Sequence, residues 1–289
     1  MKRGGLGHPR APAGRVPMTP ILAFDIETIP DIVGLRGLYT LPDSLSDRDV
    51  AEFAFHQRRQ TTGNDFLPLH QHRVIAIACA LRDRDHFTVW SLGSVQDGEA
   101  TLVQRFFDGI EKYTPQLVSW NGGGFDLPVL HYRALVHGVN AHRYWELGDE
   151  DRDFRYNNYI GRYHTRHLDL MDLLSLYQGR ASAPLDDVAQ LLGFPGKLGM
   201  DGAQVWPAYQ AGELPAIRNY CETDAANTYL VFLRFQRVRG LLTSEQYERE
   251  IALVRSTLAR YAAPHWERFL AAWRDEEPGR TASMRPAAP

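Results

Sequence analysis

The stretch Ile21-Leu22-Ala23-Phe24-Asp25-Ile26-Glu27-Thr28-Ile29-Pro30-Asp31 decides how this sequence is interpreted. Its apolar residues, ended by a proline, predict a buried β-strand. Side chains two apart in a strand share a face, so Asp25 and Glu27 are predicted to lie side by side. Because like charges repel and burial adds to the cost, either one carboxylate takes up a proton or a divalent cation lies between them. On the strand alone, an exposed end with both acids in water stays an open alternative.

The overall composition is that of an ordinary globular protein. The chain has 289 residues, 44% of them hydrophobic and 23% charged, with a formal net charge of -3. This charge excludes a generally basic surface, so a nucleic acid would have to be bound by a local groove. We expect one domain at 18–274 between disordered tails at 1–17 and 275–289. Without an apolar run of membrane-spanning length or a secretory signal, a cytoplasmic protein without membrane contact is expected.

Hydrophobic periodicity predicts an α/β fold with a central mixed sheet flanked by helices. An antiparallel meander comes first in the chain and parallel strands follow. Residues 31–42 are predicted to be a loop or short turn, 167–177 a helix or a strand leading into one, and 244–273 a single C-terminal helix packing across the domain. The remaining predicted strands are 21–30, 73–82, 87–92 and 116–120, and the remaining predicted helices are 46–60, 98–113, 126–137, 184–192 and 213–239.

Two further motifs carry acidic residues. Asn121-Gly122-Gly123-Gly124-Phe125-Asp126 follows a predicted strand, and its glycines allow a sharp turn and a close approach by another chain. Asp126 is then either a helix N-cap or a ligand-binding residue at the carboxyl end of a strand. Tyr220 and Asp224 are four residues apart on the predicted 213–239 helix and therefore share a face. Glu222 points elsewhere.

These motifs together resemble a known family. Four stretches of the chain are similar to the motifs of DEDD-type 3′–5′ exonucleases, which have the ribonuclease H-like fold. The stretches are residues 24–31, 120–130, 192–197 and 220–224. The histidine branch of that superfamily would have its histidine at position 219, which is Asn219 here, whereas Tyr220 fills the position of the tyrosine-bearing (DEDDy) branch. More narrowly, the chain resembles predicted stand-alone exonucleases related to the proofreading domain of family B DNA polymerases.

The resemblance implies a two-metal-ion hydrolase. It implies that Asp25 bridges two divalent ions, Mg²⁺ or Mn²⁺, that Glu27 and Asp224 complete one site, and that Asp126 holds the second ion directly or through water. Tyr220 is then expected to orient the attacking water, because its phenol is neutral at pH 7. Asp169 and Asp172 are expected outside the set of direct ligands, which is complete without them.

The implied substrate is single-stranded DNA, or a frayed end, with a free 3′ terminus, degraded to nucleoside 5′-monophosphates in DNA repair or in proofreading in trans. Thr28, Asn121 and Phe125 are expected at the terminal nucleotide, and Lys197 at a phosphate. The aromatic and arginine-rich segment 152–166 is either a nucleic-acid contact or a solvated loop. Alternatives are an exoribonuclease with the same site and a catalytically silent nucleic-acid-binding module. Protein partners cannot be inferred from the sequence.

Overall fold

A computed structural model describes residues 19–274, within which five strands form one sheet in the order β3-β2-β1-β4-β5. β1 pairs antiparallel with β2, and β2 with β3, whereas β1–β4 and β4–β5 are parallel pairs. The predicted fold class, a meander followed by parallel strands, is thereby confirmed. The strands are β1 (Ile21–Pro30), β2 (His72–Asp83), β3 (His86–Ser91), β4 (Gln116–Ser119) and β5 (His167–Asp169).

Helices cover both faces of the sheet. None of those formed by residues 19–274 is long and apolar enough to cross a membrane. The longest, α8, packs against β1, β2 and β3. The helices are α1 (Ile32–Tyr39), α2 (Asp47–Thr62), α3 (Glu99–Tyr113), α4 (Asp126–His137), α5 (Leu170–Leu174), α6 (Leu185–Leu191), α7 (Val205–Gln210), α8 (Leu214–Val238), α9 (Ser244–Arg260) and α10 (Pro264–Ala272).

The loop predicted at 31–42 is wrong, because α1 occupies most of it. The Asp31 carboxylate accepts a hydrogen bond from the Gly34 backbone N–H and caps the helix. Leu35 is fully buried and anchors the helix on its neighbours. Gly34 and Gly37 suggested a loop, but burial of one helix face outweighs their low helix propensity.

The single helix predicted at 244–273 is also wrong, because α9 and α10 are separate helices. Pro264 has no backbone N–H to continue a helix, and it holds Ala263 in an extended conformation with φ -106° and ψ 139°. Ala262 adopts a left-handed φ of 48° at the break. The disordered tails predicted at 1–17 and 275–289 lie outside the described residues.

β1 is buried on both faces and separates two parts of the core. Leu22, Phe24 and Ile26 pack with α3 and α4, whereas Ala23 belongs to the cluster that contains much of α8. This alternation is the period of two expected for a strand. It directs Asp25 and Glu27 towards the α8 side of the sheet.

Candidate active site

The candidate site lies where β1 extends beyond its neighbour. β4 pairs with β1 only from Ile21 to Ala23, so the following residues of β1 have no strand of the described sheet on that side. Asp25 and Glu27 occupy this free part, and the register of β1 with β2 shifts directly after Glu27. Oxygen atoms of Asp25 and Glu27 and the sulfur of Cys221 all lie within 4.8 Å of one another. The same-face placement inferred for the two carboxylates is confirmed.

Asp126 approaches β1 along the edge that β4 leaves unpaired. Its Oδ1 accepts a hydrogen bond from the Ile26 backbone N–H at 3.1 Å, which is the group that a longer β4 would have bound. Asp126 is the first residue of α4 and is 4% exposed. The carboxylate therefore combines a place at the start of a helix with a direct contact to β1.

A tight turn between β4 and α4 aims Asp126. Asn121 has a left-handed φ of 64°, and its carbonyl oxygen accepts hydrogen bonds from the N–H groups of Gly124 and Phe125. A Cβ on Gly124 would lie 2.5 Å from the Asn121 Oδ1, and one on Gly122 would lie 2.3 Å from the Ser119 Oγ. The Cβ on Gly122 would also lie 2.4 Å from the Ser119 Cβ, so this position requires glycine, whereas a side chain at position 124 would displace the Asn121 amide group.

Asp169 holds this turn in place. Its carboxylate accepts hydrogen bonds from the backbone N–H groups of Asn121 and Gly123, at 3.0 and 2.8 Å, and from those of Met171 and Asp172. Four donors occupy the oxygens of a side chain at the end of β5. The carboxylate thus stabilises the glycine turn and the start of α5 together.

α8 supplies the remaining acidic group. Tyr220 and Asp224 are 7% and 5% exposed and lie one helical turn apart, facing Asp25 and Glu27. Asp224 Oδ1 is buried and has no hydrogen-bond partner among the described residues. A buried carboxylate oxygen without a partner is costly, so this atom is free to bind a ligand. Glu222 points away, to Ser91 and His265, as expected.

The electrostatics of the site follow from burial. Burial and the nearby charges of Glu27, Asp126 and Asp224 raise the pKa of Asp25 well above its ordinary value. Burial and Asp224 do the same to the pKa of Glu27. Burial raises the pKa of Asp126 to about 7, and raises that of Asp224 to about 6 against the opposing effect of Lys197. The four carboxylates cannot all be ionised here without added positive charge.

Divalent metal ions fit this group of donors. Carboxylate oxygens are hard ligands of the kind that Mg²⁺ and Mn²⁺ prefer, and Asp224 Oδ1 is available because it lacks a partner within residues 19–274. The Cys221 thiol donates to Asp25, with its sulfur 3.3 Å from the carbonyl oxygen and 3.5 Å from Oδ2. Burial and the charge of Asp25 raise the pKa of this thiol, so it stays protonated and acts as a donor.

The residues expected to contact substrate lie around the acids. The Thr28 hydroxyl is 2.8 Å from Nδ1 of His72. The Phe125 ring lies 5.3 Å from the His72 ring and 5.8 Å from that of Phe66, centroid to centroid. Phe66 is 54% exposed, so this aromatic cluster, which includes the residue before Asp126 in the chain, has an open face. His72 and Phe66 were not identified from the sequence, where they occur in a segment without a motif.

Lys197 lies beside Tyr220, with its Nζ 5.3 Å from the ring centroid. The loop that carries Lys197 is hydrogen-bonded to α8 and to α6, and no sequence motif predicts these contacts. Asn227 of α8 exchanges hydrogen bonds with the N–H and carbonyl groups of Gly196, and Asp186 of α6 accepts one from the Lys197 N–H at 2.7 Å. Asn227 is three residues after Asp224 on a buried face of α8. That spacing is the feature of the sequence from which Asn227 could have been identified.

Comparison with known proteins places the chain in a family. Residues 64–273 match a family described as predicted 3′–5′ exonucleases related to the exonuclease domain of PolB. The matched range contains Asp126, Tyr220 and Asp224 but begins after Asp25 and Glu27. The chain is also 27% identical over 159 residues to the catalytic subunit of DNA polymerase epsilon from Saccharomyces cerevisiae. That alignment covers 52% of this chain and 6% of the yeast polymerase chain.

Proposed function

Because the chain belongs to the family of predicted 3′–5′ exonucleases related to the exonuclease domain of PolB, we propose that it removes nucleotides from the 3′ end of single-stranded DNA. The products are nucleoside 5′-monophosphates, and two divalent ions, Mg²⁺ or Mn²⁺, are required. DNA is favoured over RNA because the yeast relative is by name part of a DNA polymerase. A role in DNA repair, or in proofreading for a separate polymerase, is consistent with this activity.

One observation carries the proposal. Four carboxylates from β1, α4 and α8 meet at one place, Asp25 half-buried and the other three buried. Lys197 is the one cation, among the residues described, that is seen to lower the pKa values of Glu27 and Asp224. Such a group is unfavourable on its own and becomes favourable when divalent cations bind. The Asp224 oxygen without a hydrogen-bond partner in the described chain supports the same conclusion.

Each residue has a proposed role. Asp25, Glu27, Asp126 and Asp224 hold the ions, which when bound lower the pKa of water and offset negative charge on the phosphate. Tyr220 orients the attacking water through its hydroxyl group. Burial and the charge of Asp224 raise the pKa of this phenol, so Tyr220 remains a hydrogen-bonding group and does not serve as a base near neutral pH.

The reaction is the hydrolysis of the last phosphodiester. The oxygen of water attacks the phosphorus, the bond to the 3′-oxygen of the preceding nucleotide breaks, and that oxygen takes up a proton. The phosphate stays on the released nucleotide, and the proton of water is lost to solvent. Lys197 contacts a phosphate oxygen, and Thr28, Asn121 and Phe125 position the terminal nucleotide. The terminus must be single-stranded to enter between β1 and α8.

A time course on 3′- and 5′-labelled oligonucleotides of one sequence tests the proposal. DNA and RNA strands are compared with Mg²⁺, with Mn²⁺ and with EDTA, using the wild type, Asp25→Ala and Asp224→Ala. We expect a metal-dependent ladder that shortens from the 3′ end of DNA and is absent in both variants. Asp187→Ala is the matched control, because it removes an exposed carboxylate of α6 and should leave the ladder unchanged.

Other outcomes identify the alternatives. Faster shortening of the RNA strand would make the protein an exoribonuclease with the same site. Binding of DNA without cleavage under any metal condition would contradict the proposed activity and favour a silent binding module. Cleavage that persists in EDTA would contradict the role of metal ions.

A further inference from the structure

A cavity of about 650 Å³ adjoins the glycine turn on the side away from the acids. Gly123 and Gly124 are part of its lining, as are Leu127, Pro128 and His131 of α4. At 3.6 residues per turn, these three helical positions are rotated by about 100–200° from Asp126. The same turn and helix therefore present the acidic group in one direction and this cavity in the other.

The lining of the cavity suits the bases of a single strand. Tyr163 is 78% exposed, and its ring centroid lies 5.5 Å from that of Tyr177. The Arg162 guanidinium lies 4.4 Å from the centroid of the Tyr177 ring. Exposed aromatic rings beside arginine are the means by which proteins stack bases without reading sequence. The volume lies in the range of roughly 300–1,000 Å³ that is typical of small-molecule sites, which is enough for about one or two nucleotides.

The charges around the cavity are compatible with a phosphate backbone. Arg162 and Arg239 are both exposed at its edge. The carboxylate of Asp169 is occupied by four backbone N–H groups, and Arg162 interacts with that of Asp172. Nε2 of His131 is buried without a hydrogen-bond partner among the residues described, so it is available to a polar group of a ligand.

The chain contains an internal comparison for this surface. Within residues 152–166, the dipeptide Arg-Tyr occurs at Arg155-Tyr156 and again at Arg162-Tyr163. Tyr156 and Tyr163 are almost equally exposed, at 79% and 78%. Arg162 and Tyr163 line the cavity, whereas Arg155 and Tyr156 do not. A function of the cavity should therefore depend on the second dipeptide and not on the first.

We propose that this cavity binds the nucleotides on the 5′ side of the scissile phosphate, with bases stacked on Tyr163 and Tyr177 and a phosphate paired with Arg162. The inference rests on the proposed exonuclease function. A strand whose 3′ end lies at the acids must leave the site across a neighbouring surface, and the cavity begins at Gly124, two residues before Asp126. The arginine- and tyrosine-rich segment is thus a substrate contact, and not only a solvated loop.

Hydrolysis of oligonucleotides of increasing length tests the proposal. We expect kcat/KM of the wild type to rise from a dinucleotide to a hexanucleotide of DNA as the cavity fills. Tyr163→Ala should lower kcat/KM on the hexanucleotide by about tenfold, the scale of one lost base stack, and leave the dinucleotide within about twofold. Arg162→Ala should also reduce the slope of log kcat/KM against log salt by about 0.7, as expected for one lost phosphate contact on a single strand.

Arg155→Ala and Tyr156→Ala are the matched controls and should behave as the wild type on every length. Equal losses for Tyr163→Ala on the dinucleotide and the hexanucleotide would overturn the proposal, because the side chain would then act through the fold or the catalytic site. No loss on the hexanucleotide would overturn it as well, as would equal losses in the two tyrosine variants.

A binding measurement separates this inference from the proposed function. The anisotropy of a 5′-fluorescein hexanucleotide is measured in EDTA, where no hydrolysis is expected. Tyr163→Ala should weaken binding about tenfold and Tyr156→Ala should not, even if the wild type proves inactive. Equal affinity of the two variants would contradict the cavity as a strand-binding site, while absence of cleavage alone would contradict only the proposed function.

Discussion

Two groups of buried and half-buried acids in this molecule differ in how their charge is compensated. In the first, on the α3–α4 side, Arg133 donates to both oxygens of Glu99, at 2.7 and 2.5 Å, and to Asp31 at 2.6 Å. Glu99 also accepts from the Val74 N–H and lies 2.8 Å from Nε2 of His137. In the second, the four carboxylates between β1, α4 and α8 have Lys197 at their edge.

The difference separates a structural group from the group that we propose binds metal ions. A buried carboxylate with a bidentate arginine and backbone donors is complete, and its loss affects the fold. A buried carboxylate with an oxygen that has no partner among residues 19–274, such as Asp224, reduces stability until something binds it. Burial alone therefore does not identify a functional acid. Burial of a carboxylate without a paired cation or a full set of hydrogen-bond donors does. Four predictions test this contrast.

The largest effect is expected for Asp25→Asn. The change removes one negative charge and keeps the shape of the side chain, so kcat/KM should fall by about 10⁴-fold, which corresponds to several kcal/mol of lost transition-state stabilisation. Without metal, the melting temperature should rise, because repulsion with Glu27 is relieved. Oligonucleotide hydrolysis and thermal unfolding in EDTA check the two effects. A lower melting temperature for Asp25→Asn than for the wild type in EDTA would show that other groups of the protein already offset the charge of the acids.

Arg133→Met should have the opposite profile. It leaves the buried Glu99 and the half-buried Asp31 without their cation, which costs about 3–5 kcal/mol of unfolding free energy. Added Mn²⁺ should raise the melting temperature of this variant by as much as it raises that of the wild type. Urea unfolding measures the loss. Arg59→Met is the control, since its partner Asp65 is exposed and such a pair contributes at most about 1 kcal/mol.

The contribution of Asp126 and Asp224 to the stability of the metal-free protein should fall as pH rises from about 4 to 7, opposite in sign to that of His131 and His167, whose pKa values burial lowers to about 4. The pKa values of Asp126 and Asp224 are raised to about 7 and about 6, so in this window these two groups bind more protons in the folded protein than in the unfolded chain. The decrease should be about 1–3 kcal/mol, and Mg²⁺ should stabilise the protein more at a pH of about 7.5 than at about 5. Urea unfolding at several pH values measures this decrease. An Asp126→Asn, Asp224→Asn double variant with the same pH slope would contradict this origin.

Tyr220→Phe should have the smallest effect of the four. The ring that packs beside Lys197 is retained and only the hydroxyl group is lost, so kcat should decrease about 10- to 100-fold. The Mn²⁺-induced rise in melting temperature should be unchanged, since no carboxylate is removed. Steady-state kinetics and thermal unfolding with Mn²⁺ provide the two measurements. Loss of the metal-induced rise would assign the phenol to metal binding.

Local patterns were sufficient for much of the fold and of the site. Alternation in β1 placed Asp25 and Glu27 on one face, and the spacing of Tyr220 and Asp224 placed them together on α8. The same kind of pattern failed for α1, where two glycines suggested a loop, and at Pro264, where apolar spacing continued across a break. Propensity and periodicity describe neighbours in the chain, and the packing that overrides them involves residues far apart in sequence.

By itself, the sequence determined which side chains are proposed to carry the chemistry, because the donor types and their order along the chain are local properties. The tertiary structure alone decided which acids are compensated, since Arg133 and Asp31 are separated by 102 positions in the chain. It also decided that Asp169 secures the glycine turn, that Asn227 holds the Lys197 loop, and that Arg162-Tyr163, unlike Arg155-Tyr156, lines the cavity. Contacts of this kind depend on how strands and helices pack, and hydrogen bonds and charge pairs act over distances that only the folded chain establishes.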